Sequence, residues 1–184
     1  MANPIITILS ARYASRSFSP KPLPDDVLAE IIEAARLTPS CYNKQPWRFL
    51  FLQTPDALKK GRSCLVDANR VWADRAPLII VGYARKGDDC QLPDGRNYYH
   101  FDLGMASMDI MLCATHHNLV ARPMAGYDAA KIRELFNLTP EDEPMVVMAL
   151  GYYDPDESHL PDRLKGANKV PRVRKNVDEI VKKL

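Results

Sequence analysis

One stretch constrains this chain more than any other. From about Tyr98 to His117 the residues Phe101, Met105, Met108 and Leu112 recur at helical spacing, which predicts one long helix with an apolar stripe. Short apolar runs stand on either side of it. Leu78–Val81 is rich in β-branched residues and reads as a buried strand; Trp47–Leu52 and Met145–Leu150 read as two more. Strands interspersed with helices around one long central helix predict an α+β or α/β sandwich. At 184 residues the chain is long enough for one domain.

The other elements fall around these. Asn3-Pro4 caps a first helix ending near Tyr13, and Phe18 to Pro24 is extended and proline-punctuated. A second helix opens at Asp25, carries Val27, Leu28, Ile31, Ile32 and Ala35 at helical spacing, and stops at Pro39. Thr54-Pro55 caps a third helix reaching about Leu65. A short segment covers Leu119 to Gly126, and Asp128 caps a helix ending near Asn137. From Pro155 onward there is little core-like periodicity until Val177, Ile180 and Val181, so residues 155–184 read as a tail that packs on something else, plausibly a second subunit.

Composition bounds the function. Hydrophobic residues at 46% and charged residues at 26% exclude collagen-like and wholly disordered chains. A net charge of +2 argues against a dedicated polyanion-coating protein. The basic residues nevertheless gather at the ends. Residues 1–24 hold Arg12, Arg16 and Lys21 and no acid, and residues 163–184 hold eight basic residues against Asp178 and Glu179, so the middle is acidic. Such ends suit a shared anionic ligand if the fold unites them. Cys41, Cys64, Cys90 and Cys113 form no CxxC pair and are expected as free thiols in a reducing cytosol. The N-terminal residues lack the pattern of a signal peptide, and no apolar run approaches the ~20 residues that span a bilayer, so the expectation is a soluble, cytoplasmic protein.

The usual catalytic signatures are missing. There is no GxGxxG, no P-loop and no GxSxG elbow. His116 and His117 are adjacent, about 100° apart on a helix, and make a poor chelate, so no metal site is expected. Cys41 lacks a local nucleophile signature. Asp102 and Asp109 share a helix face, where capping or ion pairing is the default. What remains is a set of anion and ring-edge binders. Arg12 and Arg16 lie four apart, and Arg172 and Arg174 point the same way on an extended chain. The loop from Pro39 to Trp47 is dense in amides and hydroxyls. Pro123-Met124-Ala125-Gly126 is a turn where backbone can approach a flat ligand.

Four ordered stretches resemble the FMN-dependent nitroreductase family. Arg12-Tyr13-Ala14-Ser15-Arg16-Ser17-Phe18 is similar to its opening motif, and Ala34 to Trp47 to its A-A-x-x-A-P-S-x-x-N-x-Q-P-W motif. Asp102 to Ala106 with Pro123 to Asp128 is the third, and Arg174 to Val181 resembles its closing R-K-P-L-E-E-I-V. The resemblance implies an α+β fold, a nitroreductase-like α/β/α sandwich with a mainly antiparallel sheet completed by the partner's swapped tail. It implies a homodimer with FMN at the subunit interface, NADH or NADPH as donor, and a ping-pong transfer through flavin N5 to an electron-poor acceptor (nitroaromatic, quinone or enal-like).

By motif position, Arg12 and Arg174 hold the phosphate with Arg172 nearby, Tyr13 and Ala14 belong to the same motif, and Arg16 reaches the ribityl chain or pyrimidine edge. Pro39, Ser40, Cys41 and Asn43 come from the other subunit, and Asn69 contacts the pyrimidine edge. Pro123, Met124, Ala125 and Gly126 line one flavin face, with the Ala125 N–H at N5 and no catalytic side chain. Ala14 replaces the family's usual serine, and the stretch from Ala84 to Tyr98 is short where other members grow a helical lid. Dehalogenation or flavin fragmentation is the alternative within flavin chemistry. A non-enzymatic nucleic-acid binder using the basic ends is the alternative outside it, and the absence of aromatics from residues 163–184 counts against that one.

Overall fold

A computed structural model describes residues 3–167 and 170–184; Asn168 and Lys169 of the tail lie outside the described residues. The chain runs α1 (Pro4–Ala11), α2 (Asp25–Leu37), β1 (Trp47–Leu52), α3 (Pro55–Ser63), α4 (Asp67–Ala73), β2 (Leu78–Arg85), α5 (Tyr99–His116), β3 (Leu119–Met124), α6 (Ala129–Leu135), β4 (Asp142–Tyr152) and α7 (Val177–Ile180). The strands form one four-stranded sheet in the order β1-β2-β4-β3, with every neighbouring pair antiparallel.

The central strands show why the fold has three layers. Successive side chains of a strand point to opposite faces. Ile79 and Val81 of β2, with Val147 and Ala149 of β4, join a core with Leu58, Trp72 and Ile132 from α3, α4 and α6. Leu78 and Ile80, with Met148 and Leu150, join a second core with Leu28 and Ile31 of α2 and Ile110 and Ala114 of α5. Both faces are buried, so neither strand alternates with polar residues. Pro123 sits in β3, an edge strand, where its missing N–H costs no inner ladder bond.

Three expectations change. The stripe of the long helix is rotated: α5 buries Tyr99, Leu103, Ala106, Ile110 and Ala114, whereas Phe101 is exposed and Met105, Met108 and Leu112 are only half-buried. The small Ala side chains let α5 lie close to the sheet, and a second apolar face looks outward. The segment before β2 contains α4, which has no side-chain cap to announce it. In the tail, Leu160 and Leu164 are buried in the core, and the uniformly exposed portion is residues 170–184.

Candidate functional site

The two basic ends of the chain meet. Arg172 donates from its terminal nitrogens to the carbonyls of Ser10 and Arg12, closing off the C-terminal end of α1. Arg174 follows on the same side and, with Arg172, Ile6, Leu9 and Ser10, lines a shallow depression. Arg12 is the C-cap of α1. Burial lowers the pKa of its guanidinium below the usual arginine value, and repulsion from Arg172 and Arg174 lowers it further.

The segment after Arg12 is fixed by serine hydroxyls bonded to backbone. Buried Ser15 accepts from the Ser17 N–H at 2.8 Å and donates to the Ser17 carbonyl. The Ser17 hydroxyl donates to the Asp154 carbonyl at 2.7 Å, and Phe18 bridges to Tyr153 beside β4. Tyr13 packs edge-on to Tyr153. Arg16 and Ala14 are half-buried on this rigid segment.

Arg122 of β3, which the sequence reading passed over, completes the arginine set. Its Nη1 donates to the Ala14 carbonyl at 3.0 Å, and its guanidinium lies 5.4 Å from the centre of the Trp72 ring. Burial, then repulsion from Arg16, lowers its pKa to about 10. None of Arg12, Arg16, Arg122, Arg172 and Arg174 has a carboxylate within 4.0 Å among the described residues.

β3 ends two residues beyond Arg122, at Met124. Pro123 and Ala125 are exposed, whereas the Met124 side chain is buried in the core. Asn69 of α4 donates from Nδ2 to the Gly126 carbonyl at 3.1 Å, and the Val66 N–H donates to the same oxygen. A Cβ on Gly126 would come within 2.7 Å of Val66 and 2.8 Å of Asn69, so only glycine allows this approach. Asn69 is thereby set against the 123–126 segment.

Pro39, Ser40, Cys41 and Asn43 form a separate unit held by α5. Asp109 accepts from the Thr38 hydroxyl at 2.6 Å, and one heptad earlier Asp102 accepts from the Cys41 N–H at 3.2 and 3.3 Å. The two carboxylates share a face because they fasten this loop. Burial raises the pKa of the Asp102 carboxyl; the Cys41 N–H opposes this and the charge of Asp89 adds to it. Tyr42, Asn43 and Gln45 have φ of 49°, 56° and 48°, backbone that non-glycine residues seldom adopt.

Cys41 is bonded to Cys90, which corrects the expectation of four free thiols; Cys64 and Cys113 are free. The bridge follows the β1–β2 register. Trp47 pairs with Ala84, the Arg85 N–H donates to the Pro46 carbonyl at 3.0 Å, and Cys41 and Cys90 stand equally far beyond on their two segments. As a bridged sulfur, Cys41 has no thiolate to act as a nucleophile.

The nitroreductase family matches the chain over residues 9–68 and 62–152, which span the arginine segment, the Pro39–Trp47 loop and the Pro123–Gly126 segment. The chain belongs to the nitroreductase family. YdgI of Bacillus subtilis, provisionally named an NAD(P)H nitroreductase, is 24% identical over 185 residues, covering 81% of this chain and 88% of its own. This nitroreductase-family protein also shares its fold with solved structures. A structure described as an oxidoreductase containing FMN superposes with a TM-score of 0.85 at 24% identity, covering 98% of this chain and 90% of the other. A nitroreductase family protein from Clostridium difficile superposes with a TM-score of 0.81 at 23% identity, covering 99% and 98%. No helix among the described residues is long and apolar enough to cross a membrane.

Arg122 was missed because it carries no motif; its neighbours Ala14, Arg16 and Trp72 are distant in sequence. The signal available was a basic residue directly before the Pro123–Gly126 segment, in an otherwise apolar strand.

Proposed function

We propose that this protein is an FMN-dependent oxidoreductase that draws electrons from NADH or NADPH and delivers them to an electron-poor small molecule. The observation that carries this reading is the arginine cluster. Like charges gathered without a carboxylate repel one another, and an anion with several oxygens satisfies them together. Arg172 and Arg174 line one small depression against α1, and Arg12 lies close enough to feel the charge of both, a compact grouping that supports a compact anion over a nucleic acid.

Arg12 and Arg174 would hold the phosphate of FMN. Arg172, whose terminal nitrogens bond to backbone carbonyls, would keep the end of α1 in place beside them. Tyr13 and Ala14 would supply backbone and ring contacts along the ribityl chain. Arg16, backed by Arg122, would face the pyrimidine edge and favour the negative charge that reduction adds there. Asn69 bonds through Nδ2 to Gly126, which leaves its amide oxygen to accept from a ring N–H. Pro123, Ala125 and Gly126 would lie under one face, with the Ala125 N–H directed at N5 and Met124 filling the core behind. Bound FMN would supply the redox chemistry, as a carrier of two electrons between the nicotinamide and the acceptor.

A homodimer completes the reading. Pro39, Ser40, Cys41 and Asn43 would reach the partner's flavin, and residues 170–184 would cross to an open edge of the partner's sheet. Ile5, Ile6 and Leu9 of α1, Leu37, Phe101, and Val173, Val177 and Ile180 of the tail are all exposed, an apolar surface large for a lone subunit.

The test is direct. The purified protein is incubated with FMN and freed of excess, and NADH or NADPH is then added without oxygen. Yellow protein that bleaches with either nucleotide is expected, and the faster one identifies the donor. Protein that retains no flavin overturns the proposal.

A further inference from the structure

Away from the arginine cluster, three ligating side chains meet where α2 packs on the C-terminal end of α5. We infer that Glu30, Cys113 and His117 form a binding site for a borderline divalent cation, Zn2+ first among them. One ligand atom from each residue lies within 4.8 Å of the other two. The sequence alone shows only adjacent histidines, which diverge on the helix; Glu30 joins His117 from 87 residues away.

The donor set fits. Cys113 and His117 are four residues apart, on the last turn of α5 and its C-cap, and so face the same way. Glu30 arrives from α2, and its Oε2 stands 2.9 Å from His117 Nε2. Zinc takes thiolate, imidazole and carboxylate together, at about 2.3, 2.0–2.1 and 2.0–2.2 Å, so tetrahedral ligand atoms sit roughly 3.3–3.7 Å apart. Reaching that spacing requires Glu30 and His117 to part by less than about 1 Å. The Glu30 side chain is 62% exposed and free to move that far.

The electrostatics fit as well. The site lies at the C-terminal end of an 18-residue helix, where the carbonyl dipoles attract a cation, and the Glu30 carboxylate adds to them. The Cys113 thiol makes no hydrogen bond among the described residues. Entry of the metal would displace the thiol proton to solvent and form the metal–sulfur bond. A water would take the fourth position. The ion would tie α2 to α5.

The experiment uses tag-free, full-length protein stripped of metal, titrated with zinc chloride against a chromophoric chelator. One zinc per chain is expected. Cys113→Ser and His117→Asn should each weaken binding at least tenfold, and Glu30→Gln by a smaller factor. Cobalt should give a sulfur-to-metal charge-transfer band that Cys113→Ser lacks. Zinc should also slow thiol modification of Cys113, the half-buried free cysteine, leaving buried Cys64 and the bridged pair unchanged. No zinc bound in competition with the chelator, or wild-type zinc affinity in Cys113→Ser or His117→Asn, overturns the inference. FMN binding is measured on each variant as a check of folding, and its outcome is independent of the metal result.

Discussion

The guanidinium of Arg122 donates to the carbonyl of Ala14 across 108 residues of sequence. Through this bond β3 holds the backbone between Arg12 and Arg16, and Arg122 stands behind Arg16 as a second positive charge. In Arg122→Met the stem still covers Trp72, but the charge and the bond to Ala14 are gone. Losing the bond and losing the repulsion oppose each other in the empty protein, so its stability should change by less than about 1.5 kcal/mol. FMN affinity should fall about tenfold, ~1.4 kcal/mol. Thermal unfolding and a fluorescence titration of the flavin check the pair; an unchanged dissociation constant removes Arg122 from the site.

Arg174 is exposed, and among the described residues its side chain bonds only to the adjacent Val173 carbonyl, at 2.8 Å. Arg174→Ala should therefore leave stability unchanged and weaken FMN binding by about 1.5–3 kcal/mol, the range for a charge-assisted hydrogen bond. Riboflavin, which lacks the phosphate, separates the roles. Its affinity should be indifferent to Arg174→Ala and reduced in Arg16→Ala. An equal loss for both flavins would move Arg174 away from the phosphate.

The Cys41–Cys90 bridge closes a loop of 49 residues. A cross-link of that span stabilises mainly by restricting the unfolded chain, typically by about 2–4 kcal/mol. Cys90→Ser, or reduction of the wild type, should lower the melting temperature by roughly 4–16 °C. Reductant should have no further effect on the variant. If reduction leaves the wild-type melting temperature where it was, the two sulfurs are not bonded in solution.

Asp142 and Asp102 should shape acid stability in opposite directions. Asp142 is buried, which by itself raises a carboxyl pKa. Hydrogen bonds from Arg85 at 3.0 Å and from the N–H and hydroxyl of Thr139 at 2.9 and 2.8 Å outweigh this and hold it below the ordinary carboxyl range. Its stabilisation is complete above the unfolded pKa and is lost as pH falls through the depressed native one. Asp102 has a raised pKa, so its ionised form costs stability at neutral pH, and that cost is relieved as pH falls. Asp142→Asn should cost about 1–3 kcal/mol at neutral pH and flatten the acid limb. Asp102→Asn keeps an acceptor for the Cys41 N–H and should be neutral or stabilising there. Urea unfolding between about pH 3 and about pH 7 reads both slopes.

Much of the fold is legible in the sequence. The bounds of β1 match the apolar run from Trp47 to Leu52, α2 opens at Asp25, and Asp128 caps α6 by accepting from the Lys131 N–H. β2 and β4 run longer than their apolar cores because their ends carry charged residues that still pair, such as Arg85 with Asp142. The arginines at the ends, the Pro39–Trp47 loop and the Pro123–Gly126 segment also stood out, because their residue types limit the chemistry they can serve.

Sequence alone determined the features set within a few residues: strand alternation, helical spacing, caps, and the identity of the polar loops. These follow from backbone geometry and from side chains that reach only their near neighbours. The tertiary structure decided the rest. Both apolar faces of α5 have helical periodicity, and only the sheet chose Leu103 and Ile110 over Phe101 and Met105 for burial. Arg172 meets Arg12 across 160 residues, and Cys41 meets Cys90 because β1 and β2 pair in one register. Such meetings depend on the path of the whole chain, which is set by the competition among all its apolar surfaces for one core, and no local pattern encodes it.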